Sequence, residues 1–340
     1  MNVLNQANGE NWQMYNGDCC EVLKGIPENS IDYCIHSPPF SNLYIYSDSE
    51  NDMGNSENDE QFLKHYQFAI SELFRVIVPG RLASIHVKHL PKYANVWGTT
   101  GLIDFPGACI QEFEAAGFVL HSHCTIWKCP VTERERTNNN GLLHKTVMRD
   151  TSQVRQGMAD FLLTFRKPPE DGTLMSAKPV VRSTGFQRYY GLERDLSNVN
   201  HPSKFARKGG KFSNSIDLEH DEMSASDNQN KSVQIWRRYA EPVWWDVDQT
   251  DVLNFKMARS ENDERHICPL QLGLIERAVD LWTLPGDVVL SPFAGIGSEG
   301  VGAMRVGRKF IGIELKPEYF EFACQFLSSE ESKQLQPTLF

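Results

Sequence analysis

The sequence predicts an α/β fold built around a parallel sheet. Two observations lead there: short apolar runs alternate with helix-period segments at both ends of the chain, and a glycine-rich turn joins a strand to a helix near the C-terminus. The first apolar run, IDYCIHS at 31–37, has strand character. It is followed by a helix around Phe62 to Val78, on which Phe62, Leu63, Tyr66, Ala69, Ile70, Leu73 and Phe74 recur at about 3.6 residues, and Pro79-Gly80 is expected to end it. LASIHVK at 82–88, FVLHSHCTIW at 118–127 and ADFLLTFRK at 159–167 read as further strands. In the last portion QLGLIERAVDLWT is an amphipathic helix, PGD a turn with Asp287 as its structural residue, and VVLSPF a buried strand. AGIGSEG then opens a helix, and KFIGIEL is the next strand.

Between these elements the polar stretches 47–60 and 132–141 cannot build a core and are expected to be loops. Residues 168–264, with aromatic clusters at Tyr189-Tyr190 and Trp244-Trp245, read as a separate and less regular module. A chain of 340 residues with 40% hydrophobic content has enough apolar material for a sizeable core. No apolar run is long enough to span a bilayer and no leader pattern is seen, so a cytoplasmic protein without a membrane partner is expected. The eight cysteines form no CxxC pair, which points to reduced thiols and no metal site.

A net charge of -10 argues against a protein that coats nucleic acid by bulk attraction. The local distribution differs. From Lys178 to Lys211 eight basic residues stand against Glu193 and Asp195 alone, a basic island in an acidic chain.

Two blocks carry the chemistry. DVVLSPFAGIGSEGVGAMRVGRKFIGIEL has the order strand, glycine turn, helix, strand, acidic residue, which is the plan of a nucleoside-cofactor site. Gly295 and Gly297 let the backbone turn sharply beside a ligand, and the Glu314 carboxylate offers acceptors for both ribose hydroxyls. On its own this turn, GxGxxG in outline, serves a dinucleotide-dependent oxidoreductase equally well.

The second block is Ser37-Pro38-Pro39-Phe40, at the C-terminal end of the first predicted strand, where ligands sit in open α/β sheets. Two prolines stiffen the turn. Ser37 and the Pro38 carbonyl can accept hydrogen bonds from an amino group, and Phe40 can stack on an aromatic base. An exocyclic amine is a poor nucleophile because its lone pair is delocalised into the ring. Two acceptors aimed at its hydrogens favour pyramidalisation and free that pair, so positioning and electrostatics supply the rate.

Joined, SPPF and SPFAGIGSEG resemble the DNA amino-methyltransferases, whose motif reads (Asp, Asn or Ser)-Pro-Pro-(Tyr or Phe). With SPPF first and the glycine turn last, the order is similar to the circularly permuted beta group, over about residues 13 to 330. The resemblance implies a Rossmann-like S-adenosylmethionine-dependent methyltransferase fold with an inserted target-recognition region. Residues 1–167 are then the catalytic part, 168–264 the target-recognition region, 265–330 the cofactor-binding part and 331–340 a tail.

It further implies catalytic roles for Ser37, Pro38, Pro39 and Phe40. For the cofactor it implies Asp18, in NGDCCEVL, near the adenine, and His266 and Pro269, in HICP, against the methionine moiety. Phe293, Gly295, Gly297, Ser298 and Glu314 complete that set. One departure stands out: where the family commonly has Asp-Pro-Phe, this chain has Ser291-Pro292-Phe293, so a polar contact is either lost or replaced by Ser291.

The implied substrate is double-stranded DNA with the target base flipped out. Loop 41–58 is placed to close over that base, with Tyr44 and Tyr46 as contacts. Lys204, Arg207, Lys208 and Lys211 are expected to grip phosphates, and Arg182, Arg188 or Gln187 to reach base edges. Arg134, Arg136, Lys145 and Arg149 are further candidates for the same work.

Serine at the first motif position is the more typical of cytosine-N4 enzymes, which favours cytosine N4 over the alternative, adenine N6. A non-catalytic DNA-binding protein with a decayed fold is a third reading, opposed by the intact SPPF, glycine turn and Glu314. No endonuclease-like segment is left over, so a stand-alone enzyme is expected, either an orphan or paired with a separate restriction endonuclease. Homodimers are common in the resembling group.

Overall fold

The computed structural model describes residues 3–39, 59–92, 94–132, 144–169, 238–254 and 269–335. Leaving aside short helical turns of three or four residues, the elements in chain order are β1 (Asn5–Asn8), β2 (Trp12–Asn16), α1 (Cys19–Leu23), β3 (Ile31–His36), α2 (Asp59–Val76), β4 (Ile77–Val87), β5 (Leu90–Lys92) and β6 (Gly101–Ile103). There follow α3 (Phe105–Ala115), β7 (Val119–Ile126), β8 (Asp160–Arg166), β9 (Val243–Trp244), α4 (Leu272–Trp282), β10 (Val288–Ser291), α5 (Ser298–Arg305), β11 (Lys309–Glu314) and α6 (Pro317–Leu335).

The chain divides into two compact units. The first holds residues 1–123, 160–178 and 248–340, and the second 124–159 and 179–247. The second unit thus draws on 124–159 as well as on part of the 168–264 stretch, and α6 runs on to Leu335, past the start of the expected tail.

In the first unit the sheet runs β1-β2-β11-β10-β3-β4-β8-β7. Strands β2, β11, β10, β3 and β4 are mutually parallel, while β1 runs antiparallel to β2 and β8 antiparallel to β4. The expected α/β fold is therefore present. The burial of β3 reflects its place: all six residues are buried, Asp32 and His36 included, because a central parallel strand is covered on both faces.

On one face α1, α2 and α3 close a core over Cys34, Ala83, Ile85, Leu163 and Phe165, with Phe113 stacked on Phe165 at 4.1 Å. On the other, Tyr33 meets Trp282 of α4 at 5.9 Å, α4 packs on α5, and α5 packs on α6 and β11. In the second unit the end of β7 pairs with β9 in parallel, Thr125 opposite Val243 and Ile126 opposite Trp244.

One boundary differs from the sequence expectation. Pro79-Gly80 does not stop the helix; α2 already ends at Val76, and Pro79-Gly80 lies inside β4. The pairing of β3 with β4 steps from Ile31–Ile77 to Tyr33–Leu82, so these residues form a bulge. Gly80, at φ 83°, donates its N–H to the Lys167 carbonyl at 2.8 Å, which anchors the bulge to the end of β8.

Asp287 keeps its turn role, accepting the Leu284 N–H at 2.9 Å and lying 3.4 Å from Arg81. The described cysteines are free thiols, and burial with the nearby Glu299 pushes the Cys34 thiol well up, so it packs as a neutral group. Among the described residues no helix is long and apolar enough to cross a membrane.

Candidate active site

The site grows from the strand order. β10 and β3 are parallel neighbours, with Val289 opposite Tyr33 and Leu290 opposite Cys34. From β10 the chain goes on to β11 on one side, and from β3 to β4 on the other. Where strand order reverses in this way, loops leave in opposite directions and a crevice opens at the carboxyl ends. SPPF leaves β3 and SPFAGIG leaves β10 at that edge, so two motifs far apart in sequence become neighbours.

The end of β3 is held firmly. His36 is fully buried, with Nε2 2.8 Å from the Tyr66 hydroxyl, Nδ1 3.4 Å from Cys34 Sγ, and its ring 5.5 Å from that of Phe293. Burial pulls its pKa down to about 3, so His36 is a neutral structural ring. Phe293 also meets Tyr66 at 6.1 Å, which ties α2, β3 and the turn after β10 together.

Ser37 follows, half-buried, with Oγ 3.3 Å from Nδ1 of His86 on β4. His86 Nε2 in turn lies 3.0 Å from Oδ2 of Asp160 on β8. Pro38 is buried and Pro39 half-buried. Phe40 and loop 41–58, with Tyr44 and Tyr46, lie outside the described residues.

Beside this edge the glycine turn forms a cradle. Gly295 has φ 52° with open space where a Cβ would stand, and Gly297 has φ 90° as the N-cap of α5, where a Cβ would come within 3.2 Å of Ala323. Glu314 at the end of β11 is fixed by two backbone donors: Oε2 accepts the Gly295 N–H at 2.8 Å, and Oε1 accepts the Lys316 N–H at 2.8 Å. A carboxylate is an acceptor with about four lone-pair sites, the kind of group that holds a diol.

Asn16 pairs with Glu314 across β2 and β11, and the Gly17 N–H donates to the Glu314 carbonyl at 3.0 Å. This brings Asp18 to the same edge, where it caps α1 by accepting the Glu21 N–H at 3.0 Å. The residues present therefore fit a nucleoside with a free ribose diol. Ser298 opens α5 and is buried.

Ser291 is fully buried, and among the described residues its Oγ has no hydrogen-bond partner. An enclosed hydroxyl offers no oxygen to a ligand, so Ser291 does not stand in for an exposed carboxylate. Pro269 leads into α4, whose first N–H groups are met from afar: Leu272 donates to the Asp251 carbonyl at 2.8 Å and Gly273 to its Oδ2 at 3.2 Å. His266 lies outside the described residues, as do Arg182, Arg188, Lys204, Arg207, Lys208 and Lys211, together with Gln187, Arg134 and Arg136. Lys145 and Arg149, in the second unit, are exposed.

Four residues escaped the sequence reading. His86 and Asp160 are separated from Ser37 by whole elements, and Asp251 caps a helix from outside it. Glu299, in the first turn of α5, is buried, and desolvation pushes its pKa to about 8, its own N–H opposing and Glu314 adding to the rise. At neutral pH it is mostly a protonated acid under the cradle. An acidic residue between small residues just after a glycine turn was the only available signal.

The profile of the N6/N4 family, described as DNA methylase, matches residues 31–325. Type II methyltransferase M.BglII of Bacillus subtilis is 26% identical over 320 residues, 94% of this chain and 69% of that protein. Type II methyltransferase M.BamHI of Bacillus amyloliquefaciens is 23% identical over 89% of this chain, which spans only 54% of its length. The solved structure of a putative DNA modification methylase from Thermus thermophilus, complexed with S-adenosyl-L-methionine, superposes with a TM-score of 0.56 at 21% identity, covering 93% of this chain and 95% of that one. That likeness shows the same fold.

Proposed function

The chain belongs to the N6/N4 DNA methylase family, and from that premise we propose that it methylates an exocyclic amino group of a flipped base in double-stranded DNA, cytosine N4 being the target. The observation that carries this is the convergence of Ser37-Pro38 and the Gly295–Glu314 cradle on one switch point of the sheet. The family uses S-adenosylmethionine, which when bound supplies an electrophilic methyl group on a sulfonium. Family membership also removes the dinucleotide-dependent oxidoreductase as a reading of the glycine turn.

The chain's own residues do the rest. Glu314 holds the ribose hydroxyls, Asp18 faces the adenine side, and Pro269 with His266 supports the methionine end. Ser37 Oγ and the Pro38 carbonyl accept the amine hydrogens, while Phe40 stacks on the extruded ring. Such an arrangement orients a lone pair without a covalent nucleophile. Serine at position 37 favours cytosine N4, and the basic island from Lys178 to Lys211 is assigned to the DNA backbone.

With methyl-tritiated S-adenosylmethionine, label is expected in unmethylated double-stranded DNA and in neither RNA nor protein. Label in RNA or protein alone overturns the substrate. Glu314→Ala is expected to weaken cofactor affinity by at least about tenfold, since each charge-assisted hydrogen bond contributes about 1.5–3 kcal/mol. Titration calorimetry checks this, and DNA affinity measured alongside should be unchanged; equal cofactor affinity in variant and parent contradicts the role.

A further inference from the structure

We infer that His86, oriented by Asp160, is a positioning residue that turns the Ser37 hydroxyl toward the sheet and receives the proton released by the target amine. The inference rests on the assignment of Ser37 as an amine acceptor. Its basis is a chain of two contacts, Ser37 Oγ to His86 Nδ1 at 3.3 Å and His86 Nε2 to Asp160 Oδ2 at 3.0 Å. His86 and Asp160 are both buried.

The chemistry of the donors fixes its direction. A carboxylate only accepts, so the His86 hydrogen sits on Nε2 and is given to Asp160. In that Nε2–H tautomer the lone pair is on Nδ1, and Ser37 Oγ–H donates to it. The hydroxyl hydrogen thus faces away from the crevice, and the remaining Oγ lone pairs face an amine N–H. Without His86 the hydroxyl is free to rotate and present its hydrogen to that N–H, a repulsive arrangement.

A second polar chain crosses the same strands and serves as an internal contrast. The Tyr33 hydroxyl donates to Ser84 Oγ at 2.6 Å, and Ser84 lies 2.8 Å from Thr164 Oγ1. All three residues are fully buried, so that chain is closed at both ends within the core. The Ser37–His86–Asp160 chain differs in that its Ser37 end is half-exposed at the strand edge where the motifs meet. Buried polar groups are costly unless paired, and here the pairing leads to the reacting position.

In the transfer step the nitrogen lone pair forms the new N–C bond while the S–C bonding pair stays on sulfur, leaving the nitrogen positively charged. Its N–H proton passes to Ser37 Oγ as the Oγ–H proton passes to His86 Nδ1. The products on the chain's side are a neutral serine and an imidazolium paired with the Asp160 carboxylate. After product release, Nδ1 returns the proton to solvent through Ser37. A buried aspartate fixes the imidazole tautomer by the same logic in serine hydrolases.

The test uses the full chain. Long-range nitrogen–proton NMR of histidine-labelled protein should show His86 as the Nε2–H tautomer, the signal being assigned by its loss in His86→Asn and its averaging in Asp160→Asn. An Nδ1–H tautomer in the unmutated protein overturns the inference whether or not either variant folds. In steady-state kinetics, His86→Asn keeps an acceptor near the Nδ1 position but cannot take a proton, so kcat should fall by about 10²-fold with KM for DNA nearly unchanged. Normal kcat in His86→Asn beside an impaired Ser37→Ala sinks the relay alone; normal kcat in Ser37→Ala sinks the amine-acceptor assignment beneath it.

Discussion

Ser37→Ala lowers kcat for DNA methylation by an expected two to three orders of magnitude, roughly what removal of one preorganised hydrogen-bonding group aimed at developing charge costs in other enzymes. Two losses combine in this variant. The target amine loses one of its two acceptors, and the His86–Asp160 pair loses its link to the reacting nitrogen. The cradle should be untouched, because Glu314 is fixed by the Gly295 and Lys316 backbone rather than by the SPPF turn. Cofactor affinity, measured by calorimetry, is therefore expected to stay within about twofold, and an equal loss of turnover and cofactor affinity contradicts the division of roles.

Glu299→Gln is expected to remove a loss of stability on the alkaline side. The Glu299 pKa is raised from 4.5 to about 8, so between those values the folded chain keeps a proton that the unfolded chain has released. Its stability contribution is complete below pH 4.5 and is lost as pH rises through about 8. His36 acts in the opposite sense: with its pKa lowered from 6.5 to about 3, its contribution is present above pH 6.5 and is lost as pH falls toward 3.

The two slopes oppose each other between pH 4.5 and 6.5, and above 6.5 only the Glu299 slope remains. At about 1.4 kcal/mol per pH unit this comes to the order of 2 kcal/mol between pH 6.5 and 8. Glutamine has nearly the same shape and stays neutral, so Tm of the variant should be flat over that range and exceed that of the parent at pH 8. A variant whose Tm tracks the parent's curve contradicts a buried, protonated Glu299.

Much of the fold was legible where local pattern and burial coincide. The apolar residues Ile31, Tyr33, Cys34 and Ile35 announce β3 as a strand, and the periodic residues of α2, from Phe62 to Leu73, are those that fill the core. Pro79-Gly80 misled because a helix stop and a strand bulge use the same residue types. What decides between them is the pairing of β4 with β3, which is not local. The two motifs could be read separately, but their meeting follows from β10 inserting beside β3, a long-range event.

The same reason hides the supports of the site. His86 and Asp160 are ordinary polar residues in strands; His86 lies 49 residues from Ser37 along the chain, and Asp160 a further 74 from His86. Glu299 was visible as a letter in GSEG, yet acids in the first turn of a helix are usually solvated and favourable there, so nothing local announced its burial. Ser291 was noted as a departure from the family motif, and only its enclosure shows that it leaves no oxygen for a ligand.

The central claim is that methyl transfer ends on an exocyclic amine. Nucleoside mass spectrometry of unmethylated double-stranded DNA, after incubation with the protein and carbon-13 methyl-labelled S-adenosylmethionine, tests it most directly. The expected product is labelled N4-methylcytosine, absent with Ser37→Ala. Labelled N6-methyladenine would keep the amine chemistry and overturn the choice of base, whereas label at cytosine C5, or none in any nucleoside, would contradict the account.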